Sequence, residues 1–213
     1  VGAKVISIGR RNVDKMKTRG RDEVPYVVQV LRGQEIEQYE VKAVIDASGT
    51  WSSPNPIGSG GVYAFGEVEN RERIFYGIPD ILSQHEDRYK NKSVLVVGSG
   101  HSSINAILEL DKLKDKFPDT EIHWVLRKKK ISDVYGGQED DALAARGALG
   151  IKIEELVNND RVSVYTPFQI QQVLKKDLRL TIVGFQNNRK LALPGIDEII
   201  SNTGSRPDFS FVR

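Results

Sequence analysis

Short runs rich in β-forming apolar residues, separated by polar stretches and turns, make up residues 1–50, and the first of these runs alternates with a period of two. We expect four strands joined by turns, at Lys4–Ile8, Tyr26–Leu31, Glu37–Lys42 and Ala43–Ala47. From residue 51 to residue 90 the pattern is broken by repeated Pro and Gly. This stretch is predicted to be an irregular connection with one short helix near Ile81–Tyr89.

The clearest unit in the sequence begins at residue 93. Ser93–Val97 is a short, mostly apolar run, as expected of a parallel strand buried on both faces. The glycine turn Gly98–Ser103 follows at once, apolar residues then recur at helical spacing through Leu113, and Ile122–Leu126 is a second strand. This order of strand, glycine turn, helix and strand is a βαβ unit. Further along, the pattern predicts a helix and four strands, at Ala142–Val157, Val162–Tyr165, Gln169–Leu174, Arg179–Val183 and Glu198–Asn202.

Two parts of the chain resemble each other. The strand that ends in Asp46–Thr50 matches the strand that ends in Ser201–Ser205, and Lys4–Ile8 is similar to Arg161–Tyr165. Only the second copy is preceded by a complete βαβ unit. We therefore predict an α/β fold class: a Rossmann-like dinucleotide-binding domain, with a parallel sheet and a β-meander, plus a β-rich remnant of a second such domain. The predicted boundaries are 1–50 for the remnant, 51–90 for an inter-domain connection, 91–204 for the Rossmann-like domain and 205–213 for the return.

Composition excludes several functions. There are 31 basic and 29 acidic residues, a net charge of +2, so the sequence predicts no nucleic-acid partner. It has no cysteine, which excludes disulfides and thiolate metal ligands, and we expect no metal site from the scattered His85, His101 and His123. The apolar runs are too short to span a bilayer and no secretory signal is recognisable, so we expect no membrane partner and a cytoplasmic location.

The glycine turn has the residues needed to hold a pyrophosphate. Gly98 permits a tight turn, Gly100 lets a phosphate approach the backbone, and the helix beginning near Ser102 directs free N–H groups at it. Ser103 stands at the third glycine position of the usual fingerprint, and either serine can cap the helix or donate a hydroxyl. The predicted phosphate-binding residues are Gly98, Ser99, Gly100, His101, Ser102 and Ser103. The alternative is a helix end that binds nothing.

The end of the second strand indicates which nucleotide binds. An NAD site usually has an acid there for the ribose 2′-hydroxyl, whereas this strand ends in Arg127. A guanidinium suits the 2′-phosphate of NADP(H), and Lys128 or Lys129 would add charge. The same arginine argues against a methyltransferase that binds S-adenosylmethionine. The alternative is a solvated basic turn.

Two further glycine turns follow strands, where ligands of such sheets bind. They are Ser48–Gly49 and Thr203–Gly204, and we predict all four residues to contact cofactor. The alternative for either turn is an ordinary strand ending.

Three motifs in this order resemble the flavoproteins with two dinucleotide-binding domains, namely Asp46–Asn55, Gly98–Ser103 and Thr203–Asp208. That group includes the pyridine nucleotide-disulfide oxidoreductases and the flavin-containing monooxygenases. The resemblance implies that the remnant belongs to an FAD-binding domain and that the chain is the NADP(H)-binding part of an FAD-dependent oxidoreductase, which passes hydride from NADPH to flavin. It further implies that FAD is bound by the full-length protein and not by this chain, which we expect to be colourless and inactive alone.

The expected partners are NADPH, the remaining FAD domain of the same polypeptide, an unidentified small-molecule substrate and a second copy in a homodimer. We assign no catalytic side chain, because cofactors carry the chemistry in such enzymes. The alternative function is a non-catalytic module whose bound nucleotide reports redox state.

Some residues depart from the family patterns. In the monooxygenase signature Phe-x-Gly-x-x-x-His, Phe75 and Gly77 match, but Ile81 stands where His is expected and His85 comes four positions later. The lack of a Cys pair argues against the thioredoxin reductases. The unusual stretch Gly136–Gly147 is predicted to lie near the nicotinamide or its ribose, with Arg146 on a cofactor phosphate, or else to be a plain helix start.

Overall fold

A computed structural model describes residues 2–136 and 144–213 of the chain. The strands are β1 (Ala3–Arg10), β2 (Tyr26–Arg32), β3 (Glu35–Val41), β4 (Ile74–Tyr76), β5 (Ser93–Val97), β6 (Glu121–Val125), β7 (Ser163–Tyr165), β8 (Phe168–Lys176), β9 (Arg179–Gln186), β10 (Arg189–Ile196) and β11 (Glu198–Ser201). The helices are α1 (Glu86–Tyr89), α2 (His101–Lys116), α3 (Ser132–Tyr135) and α4 (Ala144–Asn158), with 3₁₀ turns at Ser59–Gly61 and Arg71–Arg73. The chain divides into two compact units: unit 1 is Val1–Ser53 with Ser205–Arg213, and unit 2 is Pro54–Gly204.

Unit 1 is built on an antiparallel meander of β1, β2 and β3. Strand β1 carries a bulge between Val5 and Ser7. The end of the chain adds a parallel bridge to the same strand, because the Ile8 N–H donates to the Phe211 carbonyl and the Arg213 N–H donates to the Ile8 carbonyl, each at 2.8 Å. The two sequence segments of this unit are thereby joined by backbone hydrogen bonds.

Unit 2 is built on a five-stranded sheet in the order β4-β11-β5-β6-β7, and every neighbouring pair is parallel. One face packs against helices and the other against the antiparallel meander of β8, β9 and β10. Along β5, Val94 and Val96 belong to the core on the helix side, whereas Leu95 and Val97 belong to the core on the meander side. Burial on both faces explains why this strand is continuously apolar. The predicted α/β fold class is confirmed.

The parallel strands end in register. The last residue of each strand pairs with the last residue of the next strand across the sheet. In sheet order these residues are Tyr76 of β4, Ser201 of β11, Val97 of β5, Val125 of β6 and Tyr165 of β7. The residues that follow each strand therefore leave from one edge, which is where open α/β sheets bind ligands. None of the described helices is long and apolar enough to cross a membrane.

Several predicted elements need correction. Residues 43–47 do not form a strand: Ile45 is 92% exposed, and within the described residues no strand pairs with this segment to bury its apolar side chains. The similarity of Lys4–Ile8 to Arg161–Tyr165 also fails, because β1 pairs antiparallel with β2 whereas β7 pairs parallel with β6. In topology β1 corresponds to β8. Both open a meander, both carry a bulge, and both accept a parallel bridge, which in β8 comes from Phe65. Strands β4 and β10 were not predicted.

The buried carboxylate of Glu67 organises the segment that precedes the βαβ unit. It accepts hydrogen bonds from the N–H groups of Ile57, Gly58 and Ala64, at 2.9, 3.3 and 2.8 Å, and from the Tyr76 hydroxyl at 2.7 Å. Burial and this carboxylate raise the pKa of the Tyr76 hydroxyl, so the tyrosine is the donor. Most of the stretch predicted to be an inter-domain connection is therefore packed within unit 2, and the predicted domain boundaries stay a prediction.

Replacing Glu67 by Gln should destabilise unit 2 strongly. The variant side chain has one oxygen and two N–H donors, so N–H groups that now face carboxylate oxygens would lose their acceptor in a buried site. We expect a loss of about 2–4 kcal/mol in the free energy of unfolding, measured by urea denaturation. The exposed Glu69 gives the matched control, and Glu69→Gln should change stability by less than about 0.5 kcal/mol. Equal effects of the two variants would contradict this account.

Candidate functional site

A cleft of about 270 Å³ lies in unit 2 at the carboxyl edge of the parallel sheet. It is lined by Ile57, Val97, Gly98, Ser99, Gly100, Val125, Arg127, Phe168, Ile170, Asn202, Thr203 and Gly204. Six of the predicted cofactor-binding residues are among them: Gly98, Ser99, Gly100, Arg127, Thr203 and Gly204. The cleft is apolar where the strands and the meander face it, and polar along the glycine turn.

Gly98 stands where the chain leaves β5, and its backbone geometry admits only glycine. Its φ is 142°, a value that residues with a side chain rarely adopt. A Cβ at this position would lie 2.4 Å from the carbonyl oxygen of Asn202. The Gly98 N–H donates to the Val125 carbonyl at 3.2 Å, and its own carbonyl accepts the indole N–H of Trp124 at 2.7 Å. The turn is therefore hydrogen-bonded to the end of β6 and lies in close contact with Asn202, which follows β11.

The turn presents a row of free N–H groups at the start of α2. Within the described residues, the backbone amides of Ser99, Gly100, His101 and Ser102 donate to no protein acceptor. The residue that caps the helix is Gly100, which has no side chain to satisfy them, and a Cβ there would meet no atom within 4 Å. Free amides at the positive end of a 16-residue helix favour an anion, and the open space at Gly100 allows one to approach the backbone.

The remaining residues of the turn have different surroundings. Ser103 is fully buried and its hydroxyl donates to the Gly100 carbonyl at 2.6 Å, so this hydroxyl locks the turn. Small size at this position allows α2 to pack against the sheet, as the third glycine does in the usual fingerprint. His101 and Ser102 form the first turn of α2 and contribute N–H groups, but their side chains do not line the cleft.

The basic end of β6 contributes one residue to the cleft. Arg127 is exposed and lines it, so its guanidinium can reach a ligand bound there. Lys128 does not line the cleft, and its ammonium donates to the Asp133 carbonyl at 2.7 Å. Lys129 is exposed and lies outside the lining.

The turn after β11 closes the other side of the cleft. The Asn202 N–H donates to the Val97 carbonyl at 2.8 Å, and its side-chain amide donates to the Gly77 carbonyl at 2.7 Å. The Thr203 hydroxyl donates to the Asn55 carbonyl at 2.8 Å, and Gly204 has a φ of 82°. These contacts fix the backbone of the turn beside Gly98.

Ser48 and Gly49 lie in unit 1, in a turn stabilised by a neighbouring carboxylate. The Ser48 N–H and hydroxyl both donate to Asp46, at 3.0 and 2.7 Å, and these bonds lower the pKa of the Asp46 carboxyl. Gly49 has a φ of 76°, close to that of Gly204. Both residues border a concavity of unit 1, and their contact with a cofactor stays a prediction.

Sequence reasoning missed half of the lining. Phe168 and Ile170 come from β8 of the meander, Ile57 from the Pro- and Gly-rich segment, and Val97 and Val125 from the strand ends. Apolar residues in a meander carry no sequence signal for a ligand. Asn202 could have been found, because it lies between a strand and a glycine turn at the carboxyl edge.

Two other sequence predictions concern residues near the βαβ unit. Ile81 is fully buried in the helix-side core, and His85 packs edge-on against Phe75 with ring centres 5.1 Å apart. Most of the stretch Gly136–Gly147 lies outside the described residues, as does the side chain of Arg146. Among the described residues, no group of three or more His, Asp or Glu side chains is placed to hold a metal ion.

Solved structures share this architecture. The FAD-bound cadaverine monooxygenase DfoA of Erwinia amylovora superposes with a TM-score of 0.69 at 14% identity, over 98% of this chain and 54% of that one. The bacillithiol disulfide reductase of Bacillus cereus superposes with a TM-score of 0.65 at 19% identity, over 98% of this chain and 52% of that one. The chain has the fold of the aligned part of each of these two proteins. The predicted resemblance to the flavoproteins with two dinucleotide-binding domains is confirmed.

Two sequence relatives are reductases named for NADP. Ferredoxin–NADP reductases from two strains of Ehrlichia ruminantium are 25% identical over 181 residues, which are 76% of this chain and 46% of the reductase. The chain thus spans about half the length of the curated relatives it matches. No family model matches the chain. The sequence relatives are reductases named for NADP, and the DfoA structure is described as bound to FAD. NADP and FAD are the two cofactors that the sequence predicted.

The two glycines of the turn should respond differently to a Cβ. We expect Gly98→Ala to lower the free energy of unfolding by about 2 kcal/mol or more, because the methyl group meets the Asn202 carbonyl and the φ is strained. Gly100→Ala is the matched control and should lower the free energy of unfolding by less than about 1 kcal/mol. Its φ is −94° and the methyl group enters open space, so only the weaker capping by alanine counts against it. Thermal denaturation followed by circular dichroism measures both. Equal stabilities of the two variants would contradict the described turn.

Proposed function

We propose that the cleft of unit 2 binds NADP(H) and that the chain is the NADP(H)-binding part of an FAD-dependent oxidoreductase, in which NADPH delivers hydride to the flavin. The observation that carries the proposal is the row of amides from Ser99 to Ser102 that find no acceptor among the described residues, at a helix start without a side-chain cap that borders the cleft. A pyrophosphate carries the negative charge and the acceptor oxygens that such a row lacks.

The dimensions of the cleft suit part of a dinucleotide. Small-molecule pockets usually measure about 300–1,000 Å³, and this cleft of about 270 Å³ has room for the pyrophosphate and an adjoining ribose. In this arrangement Ser99 and Gly100 bind the pyrophosphate through their amides. Ile57 and Phe168 add apolar surface to the lining of the cleft.

Arg127 supports NADP(H) over NAD(H). It is the residue of the basic strand end that lines the cleft, while the Lys128 ammonium bonds to a carbonyl of its own loop. A guanidinium can donate two parallel hydrogen bonds to a 2′-phosphate, whereas it gains little from a 2′-hydroxyl. The relatives named for NADP and for FAD support the proposal that the whole protein uses both cofactors.

When bound, NADPH supplies the hydride, and this chain's residues hold and orient it. The acceptor that the flavin then reduces differs among the relatives, which include a monooxygenase and a disulfide reductase. We therefore propose the class of reaction, hydride transfer from NADPH to flavin, for the whole protein. The cytoplasmic location and the inactivity of the isolated chain remain predictions of the sequence.

Calorimetric titration with NADPH and, separately, with NADH tests the proposal. We expect NADPH to bind about tenfold or more tightly than NADH, because charge-assisted hydrogen bonds to the 2′-phosphate are worth about 1.5–3 kcal/mol. Arg127→Ala should abolish this preference and leave NADH binding nearly unchanged. Arg189→Ala, a basic residue of β10 that does not line the cleft, is the control and should change neither affinity.

Two results would count against the proposal. A wild-type chain that binds neither nucleotide would contradict the assignment of the cleft. Binding with equal affinity for NADH and NADPH, unaffected by Arg127→Ala, would keep a dinucleotide site and refute the role of the arginine.

A further inference from the structure

Trp124 connects the hydrophobic core to the glycine turn. It lies in β6, is fully buried, and belongs to the core between the sheet and the helices. Its indole N–H donates to the carbonyl oxygen of Gly98 at 2.7 Å. Among the described residues, no backbone N–H donates to that carbonyl. The indole is thus the donor that satisfies the first carbonyl after the strand.

The planarity of the peptide unit passes this bond on to the proposed phosphate site. The carbonyl of Gly98 and the N–H of Ser99 belong to one trans peptide, so they point in opposite directions and rotate together. An indole that holds the carbonyl toward the core therefore holds the Ser99 N–H away from it. That N–H is the first of the unpartnered amides, and Ser99 lines the cleft.

Glycine makes this restraint necessary. Gly98 and Gly100 have no side chains that would restrict the backbone of the turn. Without another restraint, the Gly98–Ser99 peptide would therefore sample several orientations. The Gly98 N–H is fixed by its bond to the Val125 carbonyl. The carbonyl of Gly98 needs a separate hydrogen bond to be fixed as well. A site whose N–H groups already point at the ligand binds more tightly because less ordering is needed on binding.

We propose that Trp124 is a positioning residue for the dinucleotide: its indole N–H fixes the Gly98–Ser99 peptide so that the amides of the turn face the phosphate. The inference rests on the proposed function for its ligand. The orientation of the peptide can be tested without any nucleotide.

The test compares Trp124→Phe with Ile122→Ala. Ile122 lies in the same strand and the same core but does not line the cleft, so its variant is a matched control for lost packing. In nucleotide-free protein, ¹H–¹⁵N spectra of Trp124→Phe should show altered amide shifts at Ser99 and Gly100. Hydrogen exchange should be faster at Gly98, whose N–H bonds to the Val125 carbonyl, beyond any change at Val94–Val96. Ile122→Ala should not change the spectra of the turn more than those of Val94–Val96. A turn that is unaffected by Trp124→Phe, or equally affected by Ile122→Ala, would overturn the proposal.

Nucleotide affinity gives the second result. We expect Trp124→Phe to weaken NADPH binding roughly three- to tenfold, as for the loss of one hydrogen bond, and Ile122→Ala to leave it unchanged. Unchanged affinity in folded Trp124→Phe would overturn the positioning role. If the wild-type chain bound no NADPH, the proposed function would fail, and the nucleotide-free spectra would still decide the role of Trp124.

A wild-type measurement covers the case in which Trp124→Phe does not fold. The chain has two tryptophans, and Trp51 is 80% exposed, so Trp51→Phe leaves the Trp124 indole as a single N–H signal. Its exchange should be slow in free protein, because the bond to the Gly98 carbonyl already fixes the turn. Fast exchange of this indole N–H in the free protein would refute the proposal.

Discussion

The close approach of two backbone segments at the carboxyl edge of the sheet constrains the rest of unit 2. Gly98 passes so near the Asn202 carbonyl that a Cβ would lie 2.4 Å from it. This contact sets the ends of β5 and β11 side by side, and the bond from Gly98 to Val125 aligns β6 with them. The cleft exists because three strand ends meet there and the chain then turns away through residues that occupy little space.

The sheet that supports this edge is buried on both faces by different partners. Helices cover one side and an antiparallel meander the other, which is why β5 is apolar without alternation. The meander also contributes Phe168 and Ile170 to the lining of the cleft. Core and site therefore share residues, and a substitution at Phe168 would be expected to affect both stability and ligand binding.

The βαβ unit could be predicted from sequence because its signals are local. A buried strand, a glycine turn and a helix of regular apolar spacing lie next to one another in the chain. They single out Gly98, Ser99 and Gly100, which line the cleft. Arg127 could be predicted for the same reason. Residues 43–47 were predicted to be a strand from their apolar character alone, yet a strand also needs a partner for its backbone, which local sequence does not reveal.

The remaining lining depends on contacts between distant segments. Ile57 and Asn202 reach the cleft only through tertiary packing, and the Glu67 carboxylate that organises residues 57–64 resembles any surface glutamate in the sequence. The sequence comparison matched β1 with β7, because both strands have an alternating pattern. Their neighbours run in different directions, antiparallel for β1 and parallel for β7. Pairing direction is a property of the sheet and not of one strand.

The most direct test of the account is a ¹H–¹⁵N NMR titration of the chain with NADPH. The largest shifts are expected at the amides of Gly98–Ser103, with further shifts at Arg127 and at the Thr203–Gly204 turn. Shifts that are absent, or that centre on residues outside the cleft while the turn stays unchanged, would contradict the assignment of this cleft as the dinucleotide site.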